Sequence, residues 1–380
     1  MKRLIRTVFT PIFSLFPIKR DKIVFCNFNG KGYGCNPKYI AEAIHEKNKS
    51  CKLVWLCTKK TLNEIFPEYI TPVKIGSIKG IYEIITAKAI VKNVRNSLKC
   101  PKRSGQIYLQ TWHGGWGPKL VEAEVEDSLS PLYVREAKDD GKKTDAVLVC
   151  CKLQLQQFMQ HFWFGPNVEY LCFGLPRNDR LIKNQDSHGE LGRLREQIVG
   201  CAASKVILYA PTFRERDPVE NLMPDWEKLI KICSDKFSGD WKVLVRFHPN
   251  STPSLPDGAL SSDIIDVSSH PDIQDLYSIA DILITDYSSS VYDFSLLDRP
   301  IFIYAPDIDK YNASKRLSRD FFELPFSISV SSVDLCRNIT NFDNEDYFLR
   351  VKKYRNNHPS YDSGTASEET ASWLLNKLQQ

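Results

Sequence analysis

The sequence predicts an α/β protein made of two Rossmann-like halves facing each other across a cleft. Three observations carry that expectation. The chain has 380 residues, more than one hydrophobic core usually organises, so two domains of about 150–200 residues are expected. Short β-branched runs alternate with helical stretches, as in parallel sheets joined by crossover helices. The alternation comes as two series, separated by a polar patch at 182–190, "IKNQDSHGE". The expected division is a terminal segment at 1–20, a first half at 21–188, a second half at 189–362, and a closing helix at 363–380.

The elements follow in order. "KIVFCNF" (22–28) reads as the first strand, followed by a glycine-rich turn and a helix from near Asn36, where Pro37 suits the first helical turn. Strands at 52–57, 88–93, 106–111, 145–150 and 168–174 continue this series. The second series reads as strands at 205–213, 242–250, 264–268, 281–289 and 299–307. "YDSGTASEE" (361–369) opens the last helix, its Ser/Thr and Glu pattern resembling an N-cap with anion-binding potential at Gly364, Thr365 and Ser367.

Composition narrows the function. Apolar residues make up 42% and charged residues 26%, as in folded rather than disordered chains. The net charge of +5 suits anionic substrates or an anionic membrane face. No Lys/Arg run interleaved with aromatics points to nucleic acid. The 11 cysteines, odd in number and without a C-x-x-C pair, read as reduced thiols in a cytosol and exclude a structural zinc motif. Residues 1–20 set Lys2, Arg3, Arg6, Lys19 and Arg20 around Phe9, Phe13 and Phe16, interrupted by Pro11 and Pro17. This stretch is shorter than the ~20 apolar residues that span a bilayer, and it lacks a small-residue cleavage site. An interfacial membrane anchor and an arm packed on the body both stay open.

The notable polar residues fall at strand carboxyl ends, where open α/β sheets bind ligands. His113 in "YLQTWHGGWGPK" follows a strand directly, and imidazole is the side chain whose ordinary pKa suits proton transfer near neutrality. Gly114, Gly115 and Gly117 are expected to clear a ligand's approach, and Lys119 adds positive charge. "VLVRFHPN" brings Arg246 and His248 to another strand end, both donors for phosphate oxygens. In "DILITDYSSSVYDFSLLD", Asp286 closes a strand before Ser288 and Ser289, whose hydroxyls and free helix amides suit an anion. "YAPTFRER" adds Thr212 and Arg214, and "GLPRNDR" adds Arg177 and Asp179. A pyrophosphate-bearing donor is the simplest ligand for such a set. Neither a G-x-S-x-G elbow nor a P-loop is present. Asp307 and Asp309 read as a solvated loop rather than a metal motif, so no metal or other cofactor is required.

"QTWHGGWGPK", "GLPRND", "ILYAPTFRE", "VRFHPN" and "ADILITDYSSSVYDFSLLDRPIFIYAPD", in that order, resemble the CDP-glycerol glycerophosphotransferases of teichoic acid and capsule synthesis. "FNGKGYGCNPKYIAEAI" and "YDSGTASEET" match the family's ends, so the resemblance covers 22–378. It implies a GT-B fold and peripheral attachment to the cytoplasmic face of the plasma membrane. It also implies transfer of an alditol phosphate from a CDP-alditol to a lipid-linked acceptor, with release of CMP. Residues 21–188 then become the acceptor-side half and 189–362 the donor half.

By the same resemblance His113 is the general base, His248 contacts the donor phosphates, and Ser288 and Ser289 are the phosphate-binding pair. Thr212, Arg214, Arg246, Asp286, Gly364 and Ser367 are donor-side candidates; Gly114, Gly115, Lys119 and Arg177 are acceptor-side or cleft candidates. Many members read W-H-G-T-P-L-K, whereas here Lys119 stands one residue further from the histidine, and Glu215 replaces an Asp. CDP-ribitol as donor, a nucleotide-sugar glycosyltransferase, and a non-catalytic glycan-binding subunit are the alternatives. Self-association stays open.

Overall fold

The computed structural model describes residues 2–95, 100–183, 188–212, 223–247, 261–313 and 317–380. The chain divides into two compact units. Unit 1 comprises Met1–His113, Glu122–Asp179 and Ser360–Gln380; unit 2 comprises Gly114–Val121 and Arg180–Pro359.

Unit 1 holds seven strands: β1 (Lys19–Cys26), β2 (Lys52–Cys57), β3 (Ile70–Lys74), β4 (Ala87–Lys92), β5 (Ile107–Gln110), β6 (Ala146–Leu148) and β7 (Glu169–Leu171). They pair in parallel in the order β3-β2-β1-β4-β5-β6-β7, the Rossmann order with its switch point between β1 and β4. The strands read as nearly unbroken apolar runs because both faces are covered. Side chains alternate between faces: Ile23, Phe25, Leu53 and Trp55 enter one core, Val24, Cys26, Val54 and Leu56 the other. Phe25 and Trp55, in register, stack at 5.7 Å.

Unit 2 holds β8 (Lys205–Tyr209), β9 (Trp241–Val245), β10 (Ile264–Asp266), β11 (Ile282–Thr285), β12 (Ile301–Tyr304) and β13 (Ser327–Ser329). Their order, β10-β9-β8-β11-β12-β13, puts its switch point between β8 and β11. Every pairing is parallel.

The structure adds two strands to the sequence reading, β3 and β13, and both lie at a sheet edge. Edge strands are less buried, and β3 tolerates Pro72 because an edge residue need not donate to a neighbour. The division also moves. The boundary falls between Asp179 and Arg180, ahead of the polar patch, of which 184–187 lie outside the described residues. Residues 114–121 belong to unit 2. The last helix, Ala366–Gln379, belongs to unit 1, where it packs on the helix Cys35–Lys47 through Ala371, Leu374 and Leu378.

The N-terminal helix Lys2–Ser14 packs on the helix Ile78–Ile85 of unit 1. Phe13 packs edge-on against Tyr82 at 5.3 Å and on the second core, while Val8, Ile12, Leu15 and Phe16 are exposed. All 11 cysteines are free thiols. Among the described residues, no helix is long and apolar enough to cross a membrane.

Candidate active site

In unit 1 the chain ends of the switch-point strands are tied together. Asn27 follows β1 and Asn93 follows β4, and the Asn93 amide donates to Asn27 Oδ1 at 2.6 Å. Asn93 Oδ1 accepts from Phe28 N at 2.8 Å, so the turn after β4 has little freedom. Its backbone carbonyl faces the imidazole: His113 Nδ1 lies 2.9 Å from Asn93 O. A carbonyl only accepts, so Nδ1 carries the proton and Nε2 is the basic nitrogen. Phe28 meets the ring edge-on at 5.5 Å, and Trp112 tilts against it at 4.4 Å.

Behind Asn93 lies a buried ionic cluster. Asp140 accepts from Lys92 Nζ at 2.8 Å and Arg95 NH1 at 3.3 Å, and also from Tyr108 OH. Burial pulls the Asp140 carboxyl upward, but the two cations outweigh it and hold the group below its ordinary range. Arg95 also donates to Phe162 O at 2.6 Å. Glu122, buried, takes the Tyr133 hydroxyl at 2.6 Å, and burial pushes its carboxyl up. Lys92 and Arg95 therefore anchor the turn on either side of the Asn93 carbonyl.

Arg177 is buried at 2% exposure and donates to His113 O at 2.8 Å. It supports the histidine's backbone rather than facing a substrate, which corrects the cleft assignment. Gly364 and Ser367 are corrected too. The Ala366 and Ser367 amides donate to the Asp179 carboxylate at 3.0 and 2.7 Å, and Ser367 Oγ donates to Pro176 O. The anion at this helix start is the chain's own Asp179, and Gly364, at φ +86°, serves the turn before it.

In unit 2 the switch point is again bridged: Thr212 N donates to both Asp286 oxygens, at 2.9 and 3.0 Å. Asp286 is buried. A carboxylate repels phosphate, so its part is to hold Thr212, not to bind a donor directly. Lys119 Nζ donates to Thr212 Oγ1 at 3.2 Å. Ser288 and Ser290 hydroxyls pair at 2.8 Å, and Ser289 precedes the helix Ser290–Ser295. One ammonium and several hydroxyls thus gather where β8 and β11 end.

The glycines serve packing rather than ligand access. A Cβ on Gly117 would lie 2.9 Å from Ser289 Cβ, and one on Gly115 would lie 2.5 Å from the Tyr292 ring. Gly114, buried, opens the segment. Lys119 bridges to Leu317, and Ser318 N donates to Pro118 O at 2.8 Å. Trp116 stacks over His358 at 6.1 Å.

Arg246 spends its NH1 on the carbonyls of His270 (2.8 Å) and Val267 (3.4 Å), and burial lowers its pKa. Beside it stands a pair the sequence reading missed, His270 Nε2 on Asp275 Oδ2 at 2.9 Å, with Arg180 on the other oxygen. Asp307 is buried and accepts from Tyr287 OH at 3.0 Å, not a solvated loop residue. His248 and Arg214 lie outside the described residues. Asn27, Asn36 and Asn93 were not singled out as functional from sequence; each makes at least one contact 65 or more residues away along the chain.

A family model for CDP-glycerol:poly(glycerophosphate) glycerophosphotransferase matches residues 8–376. The chain belongs to this family. The glycerophosphotransferase fold extends to a solved relative: the wall teichoic acid polymerase TagF superposes with a TM-score of 0.84 at 27% identity, over 98% of this chain and 94% of that one. Both have two parallel α/β units of the GT-B type. A teichoic acid poly(glycerol phosphate) polymerase of Staphylococcus epidermidis is 30% identical over 92% of the chain. A teichoic acid glycerol-phosphate transferase of Staphylococcus aureus is 30% identical over 92% of the chain and 91% of its own length. The chain spans about half the length of the S. epidermidis polymerase and of a Bacillus subtilis one, 50% of each. Four TagF structures carry a histidine replacement, by alanine in one and by asparagine in three.

Proposed function

We propose that this glycerophosphotransferase moves glycerol phosphate from CDP-glycerol to a hydroxyl of a lipid-linked or polymer acceptor in teichoic acid or capsule synthesis. The observation that carries the reading is the His113 Nδ1 bond to the Asn93 carbonyl, at 2.9 Å. It directs a basic Nε2 away from the protein's own acceptor, the arrangement a general base needs. In the reaction His113 takes the acceptor proton, the acceptor oxygen forms a bond to the β-phosphorus, and the bond to CMP breaks in line. CMP departs with the electron pair.

Lys119, Thr212, Ser288 and Ser289 are the groups that meet the growing phosphate charge, acting as donors fixed before the substrate arrives. His248 keeps the phosphate role that the family pattern implies, and Arg214 stays a donor-side candidate from its position at a strand end. These protein donors supply the charge stabilisation, so the reading calls for no metal. Glycerol is favoured over ribitol because both 30%-identical relatives carry glycerol phosphate in their names.

Incubating the protein with CDP-glycerol, CDP-ribitol and UDP-sugars, each with a synthetic lipid-linked disaccharide, tests the donor. CMP from CDP-glycerol with a product heavier by one or more glycerol phosphates supports the proposal. Release from a UDP-sugar alone overturns it. Whether one unit or a chain is added is read from the same mass spectrum.

We also propose attachment to an anionic membrane surface through the N-terminal helix. Val8 and Ile12 on the helix, and Leu15 and Phe16 just after it, are exposed, and the sequence sets Lys2, Arg3 and Arg6 close before them, the composition of an interfacial segment. Co-sedimentation with phosphatidylglycerol vesicles, lost in a Val8→Ser/Ile12→Ser/Phe16→Ser variant, is the expected result; equal sedimentation of both forms contradicts it.

A further inference from the structure

The loop that presents His113 leaves β5 through three consecutive carbonyls, of Thr111, Trp112 and His113, each met by a side-chain donor. Asn36, fully buried on the helix Cys35–Lys47, sends its amide to Thr111 O and Trp112 O, both at 3.2 Å. The same carboxamide receives Arg177 N on Oδ1 at 3.2 Å, and Arg177 NH1 completes the set on His113 O at 2.8 Å. Only a carboxamide in this orientation serves all three partners, two acceptors on one side and a donor on the other.

Trp112, between two of these carbonyls, has φ +54°. Left-handed backbone at a bulky residue is strained and persists only where its surroundings over-determine it. Asn36 supplies that constraint one residue before the imidazole. A lapse at Trp112 turns the His113 ring away from the Asn93 carbonyl, and with it the direction of Nε2.

We infer that Asn36 is a positioning residue for His113, holding the strained Trp112 turn so that the imidazole keeps its bond to Asn93 O. The inference rests on His113 being the base. Asn36 touches no reacting atom in this account. It acts through the backbone, so its loss should show in turnover and in the imidazole tautomer rather than in donor affinity.

The test is Asn36→Asp, which keeps size and the acceptor for Arg177 N but sets a carboxylate against two carbonyl oxygens. With CDP-glycerol and a lipid-linked disaccharide, CMP release should fall roughly 10–100-fold, the scale of an ångström-sized misplacement. The KM for CDP-glycerol should stay within about twofold. In proton–nitrogen spectra the His113 signal, assigned among the seven histidines by its absence in His113→Ala, should change from the Nδ1–H tautomer to a mixture. Wild-type turnover with an unchanged tautomer overturns the inference.

Arg177→Gln, which removes the guanidinium donor to His113 O while keeping Asn36 and its bonds to Thr111 O and Trp112 O, is measured alongside and should lose turnover in the same direction. If Asn36→Asp fails to fold, Arg177→Gln decides: unchanged turnover and tautomer there overturn the clamp. A near-normal rate for His113→Ala defeats the base assignment itself. An inactive His113→Ala beside a normal Asn36→Asp defeats only the role of Asn36.

Discussion

The two switch points solve the same problem with opposite materials. In unit 1 the strand ends are joined side chain to side chain, Asn93 to Asn27, and the imidazole leans on a backbone carbonyl braced by buried ions. In unit 2 the bridge is a backbone amide on a buried carboxylate, Thr212 to Asp286. The groups around it are partly exposed hydroxyls and one ammonium. A proton acceptor needs one fixed direction, which the bonds around His113 would give it in the proposed role. A phosphate needs several donors at once, and the proposed phosphate role draws on the hydroxyls and the ammonium around Thr212. The lesson is that the His113 ring and the hydroxyl-and-ammonium group around Thr212 are held by separate local networks, which can be broken one at a time.

The largest expected effect breaks the unit 1 side. Asp140→Asn leaves Lys92 and Arg95 buried without their carboxylate, and losing one partner of a buried pair costs about 3–5 kcal/mol. Thermal unfolding should show a marked loss of stability; an unchanged midpoint contradicts the account of that cluster. Lys119→Ala breaks the unit 2 side. A charge-assisted bond to phosphate is worth about 1.5–3 kcal/mol, so CDP-glycerol affinity should drop by about 10–100-fold. Stability should barely move, and calorimetric titration checks the affinity.

Gly117→Ala sharpens the comparison further. Its Cβ would press on the Ser289 backbone, 3.0 Å from Cα, an overpacking cost of about 1–3 kcal/mol. Donor KM should rise while the His113 tautomer stays put. The smallest effect is at Glu122. Its folded carboxyl titrates above the ordinary 4.5 because it is buried, so ionising it opposes folding. That penalty is absent below pH 4.5 and complete once the pH exceeds the raised value. Glu122→Gln should therefore gain stability relative to wild type at pH 8 but not at pH 4, measured by melting at both.

Much of this architecture was legible because parallel strands announce themselves as short apolar runs, and because the polar residues with a chemical signature stand where those runs stop. His113, Lys119, Thr212, Ser288 and Ser289 were singled out that way. β3 and β13 escaped because Thr71, Pro72 and Lys74 in one and Ser327 and Ser329 in the other break up the apolar run that announces a strand. Gly364 and Ser367 misled because a helix start looks the same whether its amides await a phosphate or already hold Asp179. Gly115 and Gly117 misled similarly, since the sequence cannot distinguish room left for a ligand from room taken by Tyr292 and Ser289. Asn27, Asn36 and Asn93 have no local pattern at all; their meaning lies in partners remote along the chain.

The most direct test of the central claim pairs two measurements on His113→Ala: calorimetric binding of CDP-glycerol, and CMP release with a lipid-linked acceptor. The account predicts near-normal binding with release reduced by at least ~10²-fold, the lower range for loss of a general base. Release at a rate near that of the unaltered protein would contradict it.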